Sequence, residues 1–404
     1  MLINQIKKIK AKQILDSRKK PTIQVDLFVN NKVFSSQVPS GASTGKYEAK
    51  VSKTAKAIEN VNKIINLKLI GKDPSKQKQI DDLLIKLDGT KNKSKLGANA
   101  LCGVSMAVCR AGAGAKKISL YQHINDLYQE INKKKCFIGL PRPAFNIING
   151  GAHAKGGLDI QEFMIIPQEN CFSKNLKTGE QIYQKLKQIL FKKYGKESIK
   201  IGDEGGFVPC FKETERAINL IIKSAGKKKI KIALDSAASQ FFKKNRYFLE
   251  GKKMDRKKMI LFYEKIIKQY PLTSIEDPFE EEDFNSWVEI TRKFGKKITI
   301  IGDDLLVTNP KLIKKAEKKK ACNGMILKIN QIGTVTEALR AAFLARSFDW
   351  KIMVSHRSGE TYDDFIADLA VAIKADFIKS GAPFPKERMT KYNRLVKIEK
   401  EILK

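Results

Sequence analysis

Hydrophobic and polar positions in the second half of this chain follow one repeating design. A short apolar or β-branched run ends in a polar residue, and a stretch with helical spacing follows. The runs are KIKIALD ending at Asp235, TSIED reaching Glu276, ITIIGDD reaching Asp303, GMILK at Lys328, KIMVSHRS reaching His356, Arg357 and Ser358, and DFIK at Lys379. Their polar ends are 41, 27, 25, 28 and 23 residues apart. A (β/α)8 barrel of roughly 250 residues repeats about every 31 and carries its chemistry at the C-terminal ends of its strands. The pattern predicts such a barrel, with its carboxylates, lysines, histidine and arginine converging on one mouth. SQFFKKNRYFLEGKK reads as a short excursion that accounts for the longest spacing.

The leading segment is patterned differently. Residues 2 to 38 alternate as strands, with turns at Lys19, Lys20 and Pro21 and at Asn30 and Asn31. PSGASTG, residues 39–45, is rich in small residues and predicts a mobile loop. Helical spacing covers 52–66, 75–87 and 96–115, the last rich in Ala, Gly and Ser and suited to close packing. Pro141 and Pro143 mark the exit. The expected class is therefore α/β: an α+β N-terminal domain over residues 1–132, then a TIM-like barrel over 140–404.

Composition narrows the setting. The chain has 404 residues, 42% of them hydrophobic, which is enough for two cores. No apolar run is long enough to span a bilayer, and Met1 to Lys10 alternates Leu and Ile with Lys, so a cytoplasmic protein with no membrane partner is expected. Six cysteines without a CxxC pair predict free thiols. The net charge of +35 would give phosphate affinity. Its lysines, however, are dispersed in short clusters such as Lys133 to Lys135 and Lys318 to Lys320. A solvated surface is favoured, and any nucleic-acid contact would be non-specific.

Candidate chemistry starts from Lys328, an ammonium inside an apolar run, where it is costly unless compensated. Asp235, Glu276 and Asp303 offer oxygen ligands and no soft ones, which suits a hard cation such as Mg²⁺. Arg357 and Ser358 could hold a phosphate, the arginine through its planar fork. Lys328 and Lys379, close to each other and to a metal, would have their neutral forms favoured, making one a usable base. His153 lies in a glycine-rich loop, Gln161 and Glu162 in a strand, and Asp203 and Glu204 before a glycine pair. PSGASTG with Lys46 imitates a phosphate-binding loop, but its spacing is short and Tyr47 replaces the required hydroxyl residue. These groups point to metal-assisted proton abstraction next to a carboxylate on a small phosphorylated acid.

Ten motifs in order, PSGASTG, NGGAH, QEFMI, GDEGG, LDSAAS, SIEDPF, GDDLLVTNP, LKINQIGT, VSHRSGET and IKSGAP, resemble the enolase (phosphopyruvate hydratase) family over nearly the whole chain. The resemblance implies a barrel that begins ββαα, the reversible dehydration of 2-phosphoglycerate to phosphoenolpyruvate, two Mg²⁺ ions, the second arriving with substrate, and a homodimer. It makes Lys328 the general base and Glu204, beside Glu162, the acid, whose carboxyl should then titrate high. Asp235, Glu276 and Asp303 match the ligands of one metal and Ser43 a ligand of the second. His153, Gln161, Glu162, His356, Arg357, Ser358 and Lys379 match substrate-contacting positions. The sequence departs from the family at Lys19 and Lys20, where a Gly-Asn turn is usual. It departs again at Gln240, where glutamate is usual, and after STGKYEA, where about a dozen residues are missing.

Overall fold

The computed structural model describes residues 5–41, 45–154 and 157–403. The first domain is an antiparallel sheet, β1 (Ile6–Leu15), β2 (Pro21–Val29) and β3 (Lys32–Gln37), in that order. Lys19 has φ 59°, a conformation that glycine adopts more cheaply. Asp16 compensates: one carboxylate oxygen accepts from the N–H groups of Arg18 and Lys20, both at 2.9 Å. The turn thus survives without its glycine.

β1 is an edge strand, whose outer backbone groups need partners. They find them on a helix that begins at Thr54, passes through a π-helical stretch at Asn60–Ile65 and ends at Leu69. Asn62 and Asn66 accept from the backbone of Ala11 and Ile9, each at 2.7 Å, so two helical asparagines seal the edge. Helices Gln77–Asp88, Ala98–Lys116 and Leu120–Asn132 complete the domain. The expected close packing of Ala98–Lys116 is real: a Cβ on Gly103 would lie 2.7 Å from a Val25 methyl.

Helix Leu120–Asn132 carries His123, which is fully buried with neither ring nitrogen hydrogen-bonded. Burial, with a smaller push from Lys116, drives its pKa down to about 4. Between that value and the ordinary one near 6.5 the unfolded chain binds a proton that the folded chain refuses. The stability is therefore fully present above about pH 6.5 and declines toward about pH 4, by about 3 kcal/mol. Urea midpoints measured at neutral and acidic pH should converge partly in His123→Leu; an unchanged pH dependence would contradict this.

Eight strands form a closed barrel: β4 (Arg142–Asn149), β5 (Glu162–Pro167), β6 (Ile230–Asp235), β10 (Leu272–Glu276), β11 (Thr299–Gly302), β12 (Gly324–Leu327), β13 (Lys351–Ser355) and β14 (Phe377–Lys379). A small sheet, β7 (Phe242–Lys243), β8 (Arg246–Leu249) and β9 (Lys252–Met254), intervenes after β6 and is the predicted excursion. Ala144, Met164, Ile166, Ala233, Ile301, Ile326 and Met353 fill the interior. β5 runs antiparallel to β4 and β6, with Glu162 paired to Asp235 in register. That reversal brings the first residue of β5 to the mouth where the other strands end. It is the ββαα start that the resemblance implied.

The first domain is tied to the barrel by buried polar contacts. Asp81 accepts from Thr336 N at 2.9 Å, Ser105 Oγ from Val335 N at 2.9 Å, and Arg110 pairs with Asp363 and Asp364, both at 2.9 Å. No helix among the described residues is long and apolar enough to cross a membrane.

Candidate active site

The residues at the strand ends surround a small polar cavity. It is lined by His153, Gln161, Glu162, Glu204, Asp235, Asp303, Lys328, His356, Arg357, Ser358 and Lys379, and also by Glu48 and Asp304. Glu276 lies just behind, against Lys379. Ser43 falls outside the described residues.

Lys328 follows β12 directly, and its ammonium is paired with Oδ2 of Asp303. A bracket holds this pair: Gln331 donates to the other Asp303 oxygen at 2.9 Å, Thr308 donates to Gln331 at 2.8 Å, and Lys328 N donates to Thr308 Oγ1 at 3.0 Å. The motifs GDDLLVTNP and LKINQIGT are therefore two halves of one arrangement. Lys379 donates to Glu276 at 2.7 and 2.9 Å and to Glu162 and Asp235 at 3.3 Å. Burial favours a neutral lysine in both cases, but the carboxylates outweigh it: Asp303 raises Lys328, and Glu162, Glu276 and Asp235 raise Lys379 well above its ordinary value. The expectation of neutral lysines included a metal beside them; the protein's own groups favour the ammonium forms, through direct pairing with Asp303 at Lys328 and through several carboxylates at Lys379.

The two glutamates divide their roles in a way that sequence could not show. Burial and the charge of Glu204 hold Glu162 well above the ordinary carboxyl range. Glu204, although buried, sits well below it, with His153, His356 and Arg388 favouring its charge. Asn146 donates to Glu204 Oε2 at 2.9 Å, and His153 Nδ1 lies 3.6 Å from Glu204 and 3.8 Å from Glu162. The two carboxyls are thus coupled, the surroundings of Glu162 favouring its protonated form and those of Glu204 its charged form. The expected high-titrating Glu204 is corrected to a high-titrating partner beside it.

The carboxylates also bear on a metal. Burial raises Glu276 well above its ordinary range, and repulsion from Asp235 and Asp303 adds to it. Three acidic groups crowded against one another, with only hard oxygen donors, fit a divalent cation that would take the place of the proton. Tighter acidic groupings among the described residues are His153 with Glu162 and Glu204, and Asp277 with Asp303 and Asp304. Asp277 is already engaged, accepting from Asp303 N at 2.9 Å and Asp304 N at 2.8 Å, so it orients the first of these more than it offers a ligand.

Residues 137–404 match the family model described as enolase, C-terminal TIM barrel domain, and residues 6–124 match the enolase N-terminal domain. The chain belongs to the enolase family. That places it among the lyases of the enolase superfamily.

Within this enolase frame the departure at Gln240 has a clear local role. Its oxygen accepts from Ala152 N at 3.0 Å, and its amide donates to Gln161 at 2.6 Å. Gln161 can then donate to Asp235 Oδ2 at 3.2 Å. A glutamate at 240 could still accept from Ala152 N but could not donate to Gln161, whose amide would have to turn its N–H groups toward residue 240 and its oxygen toward Asp235.

Sequence reasoning missed several contributors. Glu48 grips Arg357 with both oxygens at 3.1 Å. Asn146 was visible as one of two asparagines in the buried run of β4. Arg388, on the C-terminal helix, carried no local signal.

Proposed function

We propose that this enolase-family chain catalyses the reversible dehydration of 2-phosphoglycerate to phosphoenolpyruvate and water. The observation that carries the reading is the shared cavity: a lysine fixed by Asp303 and the adjacent carboxyls of Glu162 and Glu204 face the same small space as Arg357, Ser358, His356 and Lys379. Lys328 takes the proton from the carbon beside the substrate carboxylate, leaving an intermediate whose carboxylate carries a second negative charge. The ammonium of Lys379 lies near that charge, where a fixed cation is worth most in a water-poor site. Glu204, once it has taken up the proton that its partner Glu162 favours, gives it to the departing hydroxyl, which leaves as water while the double bond forms. Arg357 and Ser358 hold the phosphate, and His153 and Gln161 complete the substrate contacts.

Enolase-superfamily sites as a group pair a lysine or histidine base with one or two Mg²⁺ ions. Here Asp235, Glu276 and Asp303 would hold one ion and Ser43 would help hold a second arriving with substrate. Such ions supply positive charge that favours both the ionised intermediate and a neutral lysine. A cytoplasmic homodimer acting in glycolysis rests on the family resemblance. The +35 charge adds at most a non-specific nucleic-acid contact.

Purified protein given 2-phosphoglycerate and Mg²⁺ should generate the ultraviolet absorbance of phosphoenolpyruvate. EDTA should remove the activity and excess Mg²⁺ should restore it. No product from a folded, magnesium-replete sample would overturn the proposal and favour a non-catalytic scaffold.

A further inference from the structure

The C-terminal helix Lys386–Ile402 sends one side chain beneath the site. Arg388 is completely buried. Its terminal nitrogens donate to Nδ1 of His356, to Arg357 O at 2.7 Å, to Ser358 O at 2.7 Å and to Asp203 O at 2.9 Å. All four acceptors are uncharged. A buried guanidinium is costly and usually faces a carboxylate; here the nearest pairing is Glu387 Oε1, 3.8 Å from Nε. The cation is therefore used on two loops of the site, the one carrying Asp203 and Glu204 and the one carrying His356 to Ser358. Gly381, at φ 78°, keeps that space clear, since a Cβ there would lie 2.6 Å from Glu204 O and 3.0 Å from Arg388 Cδ.

An arginine has donors only and keeps its proton. The His356 nitrogen that faces it must offer a lone pair, so the ring proton sits on Nε2, which lies 3.3 Å from Oε2 of Glu204. We infer that Arg388 is a positioning residue that fixes His356 as the neutral Nε2–H tautomer and keeps that nitrogen close to Glu204. The inference deepens the proposed reaction and rests on its assignment of Glu204 to the acid. Its effect is to keep His356 from becoming the proton source. An imidazolium beside Glu204 would compete with the carboxyl pair for that role. Burial opposes a second ring proton, Glu204 favours one, and Arg388 and Lys379 oppose it; the balance leaves the His356 pKa at about 3.

The chain has three histidines, so ¹⁵N-histidine labelling of the full-length protein gives a spectrum assignable with single variants. His356 should show the Nε2–H pattern and no titration between about pH 5 and 8. In Arg388→Gln the ring should move toward mixed tautomers and begin to titrate in that range. Its kcat should fall about 10- to 100-fold, as when a group that orients a working histidine is lost. KM should change much less, and the pH–rate profile should shift. Arg388→Lys, which keeps a cationic donor, should recover part of the Nε2–H form. An Nδ1–H ring in the unaltered protein would overturn the inference, as would a folded Arg388→Gln with an unchanged tautomer. If Arg388→Gln does not fold, the tautomer and titration of the unaltered protein decide alone. An inactive protein whose His356 is Nε2–H would count against the proposed reaction and leave the role of Arg388 standing.

Discussion

Lys328→Ala is expected to lower turnover of 2-phosphoglycerate by about a hundred- to ten-thousand-fold, the usual worth of a positioned general base. Substrate affinity should change little, because Lys328 acts as a neutral amine that takes a proton from the substrate, while in the proposed reaction the phosphate and carboxylate are held by other groups. The variant also leaves Asp303 without its cation. That carboxylate keeps the hydrogen bond from Gln331 and the backbone contact to Asp277, so the mouth should stay assembled. Circular dichroism must show a folded protein for the result to count. Full activity in a folded Lys328→Ala would remove the base from the account.

Glu204→Gln should have a comparable effect for a different reason. The amide is nearly the size of the acid, and its oxygen can still accept from Asn146, so packing is preserved. It cannot give up a proton to the leaving hydroxyl, and it no longer forms an acidic pair with Glu162. Dehydration should fall by about a hundred-fold or more. Removal of the proton beside the carboxylate should persist, because Lys328 is untouched. A variant that dehydrates at the normal rate would show that Glu162, or another group, is the acid.

These two residues also show what was legible in the chain. Lys328 stood out because an ammonium in an apolar run violates the local rule, and strand-end spacing then placed its neighbours at the same mouth. The barrel, its mouth and its excursion followed from one-dimensional periodicity. So did the hairpins of the first sheet, where the Lys19 turn departs from its usual residues yet keeps its shape through Asp16. Helix Leu120–Asn132 was passed over although Tyr121, Ile124, Leu127 and Tyr128 are spaced for one buried face and Ser119 caps it.

Protonation was not legible in the same way. Which of Glu162 and Glu204 has its protonated form favoured depends on which donors and charges fold against each. His356 comes from β13's end, Arg388 from the last helix and Asn146 from β4. Likewise both lysines were expected to be neutral from their proximity to each other and to a metal, yet the direct pairing of Lys328 with Asp303 and the several carboxylates around Lys379 favour their charged forms. Glu48 and Arg388 act across more than thirty positions of sequence or more, with no motif that points from one partner to the other. Long-range pairing of this kind is fixed by the fold and leaves no periodic trace.

In the proposed reaction two different residues handle the two halves of one dehydration. The most direct test follows hydrogen exchange at the carbon beside the carboxylate when 2-phosphoglycerate and Mg²⁺ are incubated in heavy water with each protein. The unaltered enzyme should exchange that hydrogen and form phosphoenolpyruvate. Glu204→Gln should exchange it with little product, and Lys328→Ala should do neither. Exchange retained by folded Lys328→Ala, or lost together with product in folded Glu204→Gln, would contradict the division of roles.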